Sequence, residues 1–328
     1  MNLTKLDKIL EEQPSYRAKQ IKLALFNDLI QNWDEVKTLP LSLRETLNKE
    51  CTLSIDSQIV ASDDKNTIKA LIKLKDGLSV ESVLMRHKEK RNTVCVSSQV
   101  GCPLNCSFCA TGKMGLKRNL EVFEIIEQVL LFARNSKEGE RISNIVFMGM
   151  GEPFLNYDNV MEAIRILNDK DGFNIGARHI SISTAGVIDG IKKLSEESLQ
   201  INLSVSLHAP NDKLRSELMP INNEHSIEEL LETVDDYIKK TNRKVMFEYL
   251  MIRDVNDSNV HVRELSRLMR KPLYFVNLIE YNPTGVFKPS LRMNEFKELL
   301  EKKGVRVTQR YRFGQNIKAA CGQLAGKQ

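Results

Sequence analysis

The spacing of apolar residues divides the chain into three stretches with different periods. In the first, "KLDKILEE" and "YRAKQIKLALFNDLIQNWDEV" set apolar residues three and four apart, and "LPLSLRETLNKE" restarts the pattern after a proline. That period predicts helices over residues 1 to about 50. From 53 to 86 the period shortens to two. "TIKALIKLKDG" and "LSVESVLMRH" alternate apolar and polar residues around an Asp-Gly turn, the pattern of a small antiparallel hairpin. From about 92 onward, short apolar strands are each followed by a polar loop and an amphipathic helix. The strands are "TVCVSS", "ISNIVFMG", "HISISTA", "INLSVSLH", "KVMFEYLMI", "YFVNLIEY" and "VRVTQRY". The helices include "EVFEIIEQVLLFARN", "NVMEAIRILN", "SIEELLETVDDYIKK", "NVHVRELSRLMR" and "MNEFKELLEKKG".

Strand and helix in alternation mean βα units on a parallel sheet. About six or seven such units fit a partial (β/α)6-type barrel better than an open doubly wound sheet. The predicted fold is therefore α/β: a barrel over 92–328, with a small helical and β-hairpin accessory domain at 1–91. No G-x-G-x-x-G follows the first barrel strand, which argues against a dinucleotide fold. In such barrels chemistry gathers at the C-terminal ends of the strands.

Composition narrows the setting. The 328 residues are 41% hydrophobic and 28% charged, which suits an ordinary packed core. A net charge of +5 permits a nucleic-acid partner without requiring one. The first residues carry charges and no apolar leader segment, and no apolar run reaches membrane length. The expected location is the cytoplasm, where thiols stay reduced, so clustered cysteines point to metal or redox chemistry.

The cluster lies in "VCVSSQVGCPLNCSFCATGKMGLKRN". Cys102, Cys106 and Cys109 are spaced C-x3-C-x2-C, and Cys95 precedes them by seven positions. A closed structural zinc site wants four Cys or His ligands. Here the nearest histidines, His87 and His179, lie outside the triplet. Three thiolates on a cubic four-iron cluster leave one iron without a protein ligand, open to a small chelating molecule.

At these residues the sequence resembles the radical S-adenosylmethionine (SAM) enzymes, including an aromatic, Phe108, before the last cysteine. The resemblance implies a [4Fe–4S] cluster on Cys102, Cys106 and Cys109, and reductive cleavage of SAM to a 5′-deoxyadenosyl radical. "CVSSQVGCPLNCSFCATG", "FMGMGEPFLNYDNV", "SISTAGV", "LSVSLHAPND", "LMPIN", "VNLIEYNP" and "AACGQLAG" together are similar to the RlmN family of dual-specificity RNA methyltransferases, across the whole barrel. That resemblance implies methylation at C2 of one adenine in the peptidyl-transferase region of 23S rRNA, and in some relatives of an adenine beside the tRNA anticodon. It also implies two SAM molecules per turnover and an electron donor such as flavodoxin or ferredoxin. A monomer is the default.

The C2 carbon of adenine is not nucleophilic, whereas a thiolate can take a methyl group from SAM directly. Release of the resulting protein–RNA adduct needs a base and a second thiol, which ends as a disulfide. The resemblance assigns the methyl carrier to Cys321, the resolving thiol and disulfide partner to Cys95, and the proton acceptor to Glu81. The segment from Glu81 to Cys95 is one residue longer than the family pattern. Gly151, Glu152, Ser183, Ser206, Leu207, His208 and Asn282 match the family's SAM contacts. Cys51 matches no motif and reads as core.

Two basic stretches suit RNA: Lys113, Lys117 and Arg118 beside the cysteines, and Arg310, Arg312 and Lys318 with Tyr311 and Phe313 interleaved. Their plain alternative is a solvated charged face. The rival within the family is the Cfr type, which methylates C8 of the same adenine and carries alanine where this chain has Pro153. A rival from another class is a non-catalytic metal-binding RNA module.

Overall fold

The computed structural model describes residues 1, 3–89, 91–137, 139–310 and 314–326. Three helices open the chain: α1 (Leu3–Glu11), α2 (Tyr16–Phe26) and α3 (Leu41–Glu50). The apolar period of α2 runs on to residue 36, but the helix stops at Phe26. Leu29 then takes a left-handed φ of 55°, and Asn32 caps a short 3₁₀ turn at Trp33–Glu35. Trp33 is fully buried there and donates its indole N–H to the Cys51 carbonyl at 2.7 Å. Cys51 is core, as its sequence context implied.

The hairpin forms as β2 (Thr67–Lys73) and β3 (Ser79–Arg86), with β1 (Ser57–Ala61) added at its edge. It is not a separate sheet. β3 pairs antiparallel with β4 (Asn92–Cys95), matching Val83 to Cys95, so the accessory strands continue into the barrel. After β4 come the two-residue strands β5 (Gln99–Val100) and β6 (Arg118–Asn119), which pair with each other across the cysteine loop.

The βα units follow in chain order: α4 (Val122–Arg134), β7 (Asn144–Phe147), α5 (Tyr157–Asn168), β8 (Ile180–Thr184), α6 (Ile188–Ser195), β9 (Asn202–Ser206), α7 (Asp212–Leu218), α8 (Ile227–Thr241), β10 (Val245–Met251), α9 (Asn259–Leu268), β11 (Tyr274–Glu280), α10 (Met293–Lys302) and β12 (Val307–Gln309). The sheet runs β1-β2-β3-β4-β7-β8-β9-β10-β11-β12, parallel from β4 to β12. The two ends of the parallel part curl toward each other. Arg310, just past β12, donates to the sulfur of Met148, just past β7, at 3.3 Å. This is the partial barrel that the strand–helix rhythm predicts. No helix among the described residues is long and apolar enough to cross a membrane.

Elements that the pattern did not announce are β1, the two-residue β5 and β6, α6 and α7. β1 is an edge strand with exposed residues, so it carries little alternation. α6 contains Gly190, which reads as a turn signal. A Cβ on Gly190 would lie 2.3 Å from Cγ of Phe154, so glycine lets α6 pack against the loop that follows β7. Gly190→Ala tests this. Alanine favours helix by about 1 kcal/mol over glycine. Overpacking a buried ring costs about 1–3 kcal/mol and should win. The expected outcome is a net loss of stability in urea unfolding, where an exposed helical glycine would give a gain.

Candidate active site

The cysteine loop is set by backbone constraints before any chemistry enters. Gly101 has φ +78°, and a Cβ there would overlap the Gly115 carbonyl oxygen. Only glycine lets the two ends of the loop close at this crossing. The three cysteines lie inside that closure, half-buried, and line one cavity of about 160 Å³ at the C-terminal ends of the parallel strands. Gly151, Glu152, Ser183, Ser206 and His208 line the same cavity. Burial pushes the Cys102 thiol up to about 12 and raises Cys106 as well. Thiolate ligation must therefore come with the metal's own positive charge. Among the described residues, no three His, Cys, Asp or Glu side chains converge as ligands of a single ion. The triplet does not form a ready-made zinc centre. It fits a larger cluster with one ligand position left open.

The glycines of "GMGEP" turn out to serve the scaffold first. A Cβ on Gly149 would meet the Val96 carbonyl oxygen at 2.7 Å, and one on Gly151 would meet Gln99 at 2.5 Å. The loop after β7 thus lies directly on the backbone after β4. Gln99 accepts the Glu152 N–H at 2.8 Å, which fixes the carboxylate in the cavity wall. Glu152 accepts from Ala185 N–H at 2.7 Å and Phe154 N–H at 3.1 Å. Burial still lifts its carboxyl to about 7, those donors opposing the shift.

His208 follows β9 with a left-handed φ of 57°. Its Nδ1 accepts the Leu250 N–H at 3.1 Å, so the neutral ring carries its proton on Nε2. The ring stands edge-on to Phe108, at 4.9 Å between centroids. Burial, with the nearby Arg215 charge second, pushes it down to about 3. Leu207 does not line the cavity: it is fully buried, and its N–H goes to the Glu248 carbonyl at 3.0 Å. Sequence reasoning missed Arg215, on the unannounced helix α7. Its buried guanidinium donates to the carbonyls of Ala185, Ser206 and Leu207 and to Asn222. It ties together the ends of β8 and β9.

A second, smaller pocket of about 40 Å³ adjoins the cavity and is lined by Cys95, Asn282, Arg310 and Cys321, among others. Met148, Ile279, Arg310 and Cys321 line both spaces, so Cys321 stands at their junction. Asn282 faces the smaller pocket and donates to the Cys321 carbonyl at 3.4 Å. Among the described residues, Arg310 is the sole guanidinium lining either space. Its positive charge is favoured first by Cys321, then by Glu248 and Cys95. Burial raises the Cys95 thiol to about 12, with Cys321 adding and Arg310 opposing. All six cysteines are free, so the Cys95–Cys321 disulfide implied by the resemblance is not formed in this structure.

Residues 96–265 match the Radical SAM superfamily. A probable dual-specificity RNA methyltransferase RlmN from Dictyoglomus turgidum is 47% identical, over 95% of this chain and 91% of its own. A ribosomal RNA large subunit methyltransferase N from Nitrosopumilus maritimus is 46% identical, over 94% and 92%. The crystal structure of a radical SAM methyltransferase from Sphaerobacter thermophilus superposes with a TM-score of 0.95 at 45% identity, covering 100% of this chain and 98% of that one. The chain belongs to the RlmN family of radical SAM methyltransferases. It is an enzyme of that class, and family members bind a [4Fe–4S] cluster and SAM. The non-catalytic module and the Cfr type are not favoured.

Against the RlmN pattern, the residues separate into three groups. The cluster cysteines and the SAM-contact set, Leu207 and Asn282 apart, share the larger cavity. Cys95 and Cys321 meet in the smaller pocket. Glu81 lines neither space. Its buried carboxylate takes Lys69 Nζ on one oxygen at 2.7 Å and the amides of Ala325 and Gly326 on the other, at 2.7 and 3.2 Å. The RNA candidates also divide. Arg118 is bound by Asp76 at 2.6 Å and Glu124 at 2.7 Å, a structural crosslink rather than a free cation. Arg310 is interior. Lys113, Lys117 and Lys318 are exposed, whereas Arg312, Tyr311 and Phe313 lie outside the described residues.

His208 gives a pH test. Its folded pKa is depressed and its unfolded value is ordinary, so below about 6.5 the unfolded chain binds a proton that the folded chain refuses. Stability is lost as pH falls. Between pH 7 and 5, the cluster-free protein should lose about 2 kcal/mol more than its His208→Asn variant, measured by urea unfolding at each pH.

Proposed function

We propose that this enzyme methylates C2 of an adenine in 23S rRNA in the cytoplasm, with an adenine beside the tRNA anticodon as a second substrate, and that Cys321 carries the methyl group. The observation that supports this most is the junction: one thiol borders both the cavity with the cluster cysteines and the pocket with Cys95. In this reading Cys102, Cys106 and Cys109 hold the cluster. Glu152 accepts from SAM's ammonium, and Gly151, Ser183, Ser206 and the neutral His208 line its seat. Leu207 contributes through its backbone and Asn282 through the Cys321 carbonyl. When bound, and supplied with an electron by a flavodoxin or ferredoxin, the cluster and SAM provide a transferable methyl group and a hydrogen-abstracting radical.

The chain's own residues do the rest. Cys321 attacks as the nucleophile and accepts the methyl group, with Arg310 lining the same pocket. Once the carbon is joined to the RNA base, the Cys95 thiol attacks the Cys321 sulfur. A sulfur–sulfur bond forms, the bond from Cys321 to that carbon breaks, and the carbon leaves with the electron pair and the thiol's proton. A thiol reductant then restores both cysteines. The family's proton acceptor is Glu81, whose carboxylate must first leave Lys69 and the two amides that hold it. Pro153, buried at the start of the turn after Glu152, favours C2 over C8.

The test is nucleoside mass spectrometry on a protein-free 23S rRNA fragment incubated anaerobically with reconstituted enzyme, reductant and methyl-labelled SAM. Labelled 2-methyladenosine is expected, and 8-methyladenosine would overturn the carbon assignment. Cys321→Ala should abolish RNA methylation while SAM cleavage continues. Lys113→Glu with Lys117→Glu should weaken RNA binding about tenfold or more at low salt and flatten its salt dependence, without affecting SAM cleavage.

A further inference from the structure

The segment that bears Cys321 is held from two sides, and one holder belongs to the hairpin rather than to the barrel. On the barrel side, Ala110 N–H donates to the Gly322 carbonyl at 2.8 Å, and Thr111 Oγ1 donates to the Leu324 carbonyl at 2.6 Å. Both donors follow Cys109 directly, so the tail is stitched to the cluster loop. On the hairpin side, Glu81 of β3 receives the Ala325 and Gly326 amides. Lys69, diagonal to it on β2 and two residues from its register partner Leu71, closes the other oxygen. The fit there is tight. Gly326 has φ +59°, and a Cβ on it would lie 2.9 Å from the Ser79 carbonyl oxygen.

We propose that Lys69 and Glu81 form a latch that seats the C-terminal segment and thereby fixes Cys321 at the junction of the two pockets. This rests on Cys321 being the methyl carrier. Such a carrier must serve a donor on one side and the RNA with Cys95 on the other, so its segment needs a seat that holds and also releases. The latch meets that need because it is a side-chain carboxylate on backbone amides, with no covalent tie, beside the buried apolar anchor of Leu324. Release also uncovers the Glu81 carboxylate. The latch therefore couples the freedom of the carrier to the exposure of the family's proton acceptor. Lys69 is a positioning residue: it acts on Cys321 only through Glu81 and the tail.

The experiment follows the alkylation of individual cysteines by iodoacetamide, read by peptide mass spectrometry. It uses protein purified without the cluster and then reconstituted, so that Cys321 starts as a free thiol. Losing one charge-assisted tie should open the tail more often, so Lys69→Met is expected to speed alkylation at Cys321 about tenfold. Cys51, buried in the core, is the control for general loosening and should be unchanged. Lys69→Arg, which keeps the charge, should restore the slow rate. An unchanged rate at Cys321 in Lys69→Met overturns the latch, and so does an equal rise at Cys51. Whether Cys321 gains a methyl group on incubation with SAM is scored on the same peptide of the unaltered protein. A missing methyl would overturn the carrier reading while the alkylation rates still decide the latch.

Discussion

The site depends on holding one thiol beside a loop from which it is far removed in sequence. Thr111 and Leu324, which bond directly, are 213 positions apart. Loop-closure entropy grows only slowly with length, so that distance is a modest obstacle. The harder problem is local, because the residues around Cys321 bury few apolar side chains, Ala319 and Leu324. The chain solves it with backbone bonds: the Gly322 and Leu324 carbonyls and the Ala325 and Gly326 amides are all engaged. That explains the small residues of "AACGQLAG". A Cβ on Gly326 would press on the Ser79 carbonyl oxygen at 2.9 Å, and Gly322 and Gly326 both adopt positive φ.

The same need links the N-terminal hairpin to the barrel. Because β3 pairs with β4, Glu81 and Cys95 belong to adjacent strands of one sheet. The hairpin is thus part of the site's framework as much as an accessory to it. Electrostatics point the same way around the cavity. Burial drives Cys102, Cys106, Glu152 and His208 toward their neutral forms. Such a cavity suits guests that bring positive charge of their own, as iron, an ammonium and a sulfonium do. The buried Arg215 is spent on backbone carbonyls, whereas the half-buried Arg310 lines both the cavity and the thiol pocket.

Much of this was legible in the residues. Strand–helix alternation gave the barrel, because buried parallel strands make short apolar runs and the covering helices keep a 3.6-residue period. The triplet spacing marked the loop that brings Cys102, Cys106 and Cys109 to one cavity, since residues closely spaced on one loop leave a local signature. Longer-range chemistry left none. Arg310 looked like an RNA contact because its neighbours are basic and aromatic, and only the curl of the sheet turns it inward beside Met148. Arg118 looked equally free until Asp76, on the hairpin turn, was brought against it. Glu81 could be matched to a family position, but its partners lie on β2 and in the tail, which no sequence period connects.

The depth of the thiols constrains the substrate. Cys95 is 6% exposed and Cys321 is half-buried. In the proposed reaction, a base stacked in a helix could not bring its edge to sulfurs at that depth. The proposed adenine must therefore be unstacked and extruded, which costs a few kcal/mol and least where the RNA is already single-stranded. The exposed Lys113 and Lys117 lie on the cluster loop's return, where flanking phosphates would pass. Phosphate contacts of that kind hold any RNA in register without reading its sequence. In the proposed reaction, selection of one adenine then falls to the shape of the RNA loop that can present it to the narrow pocket at Cys95.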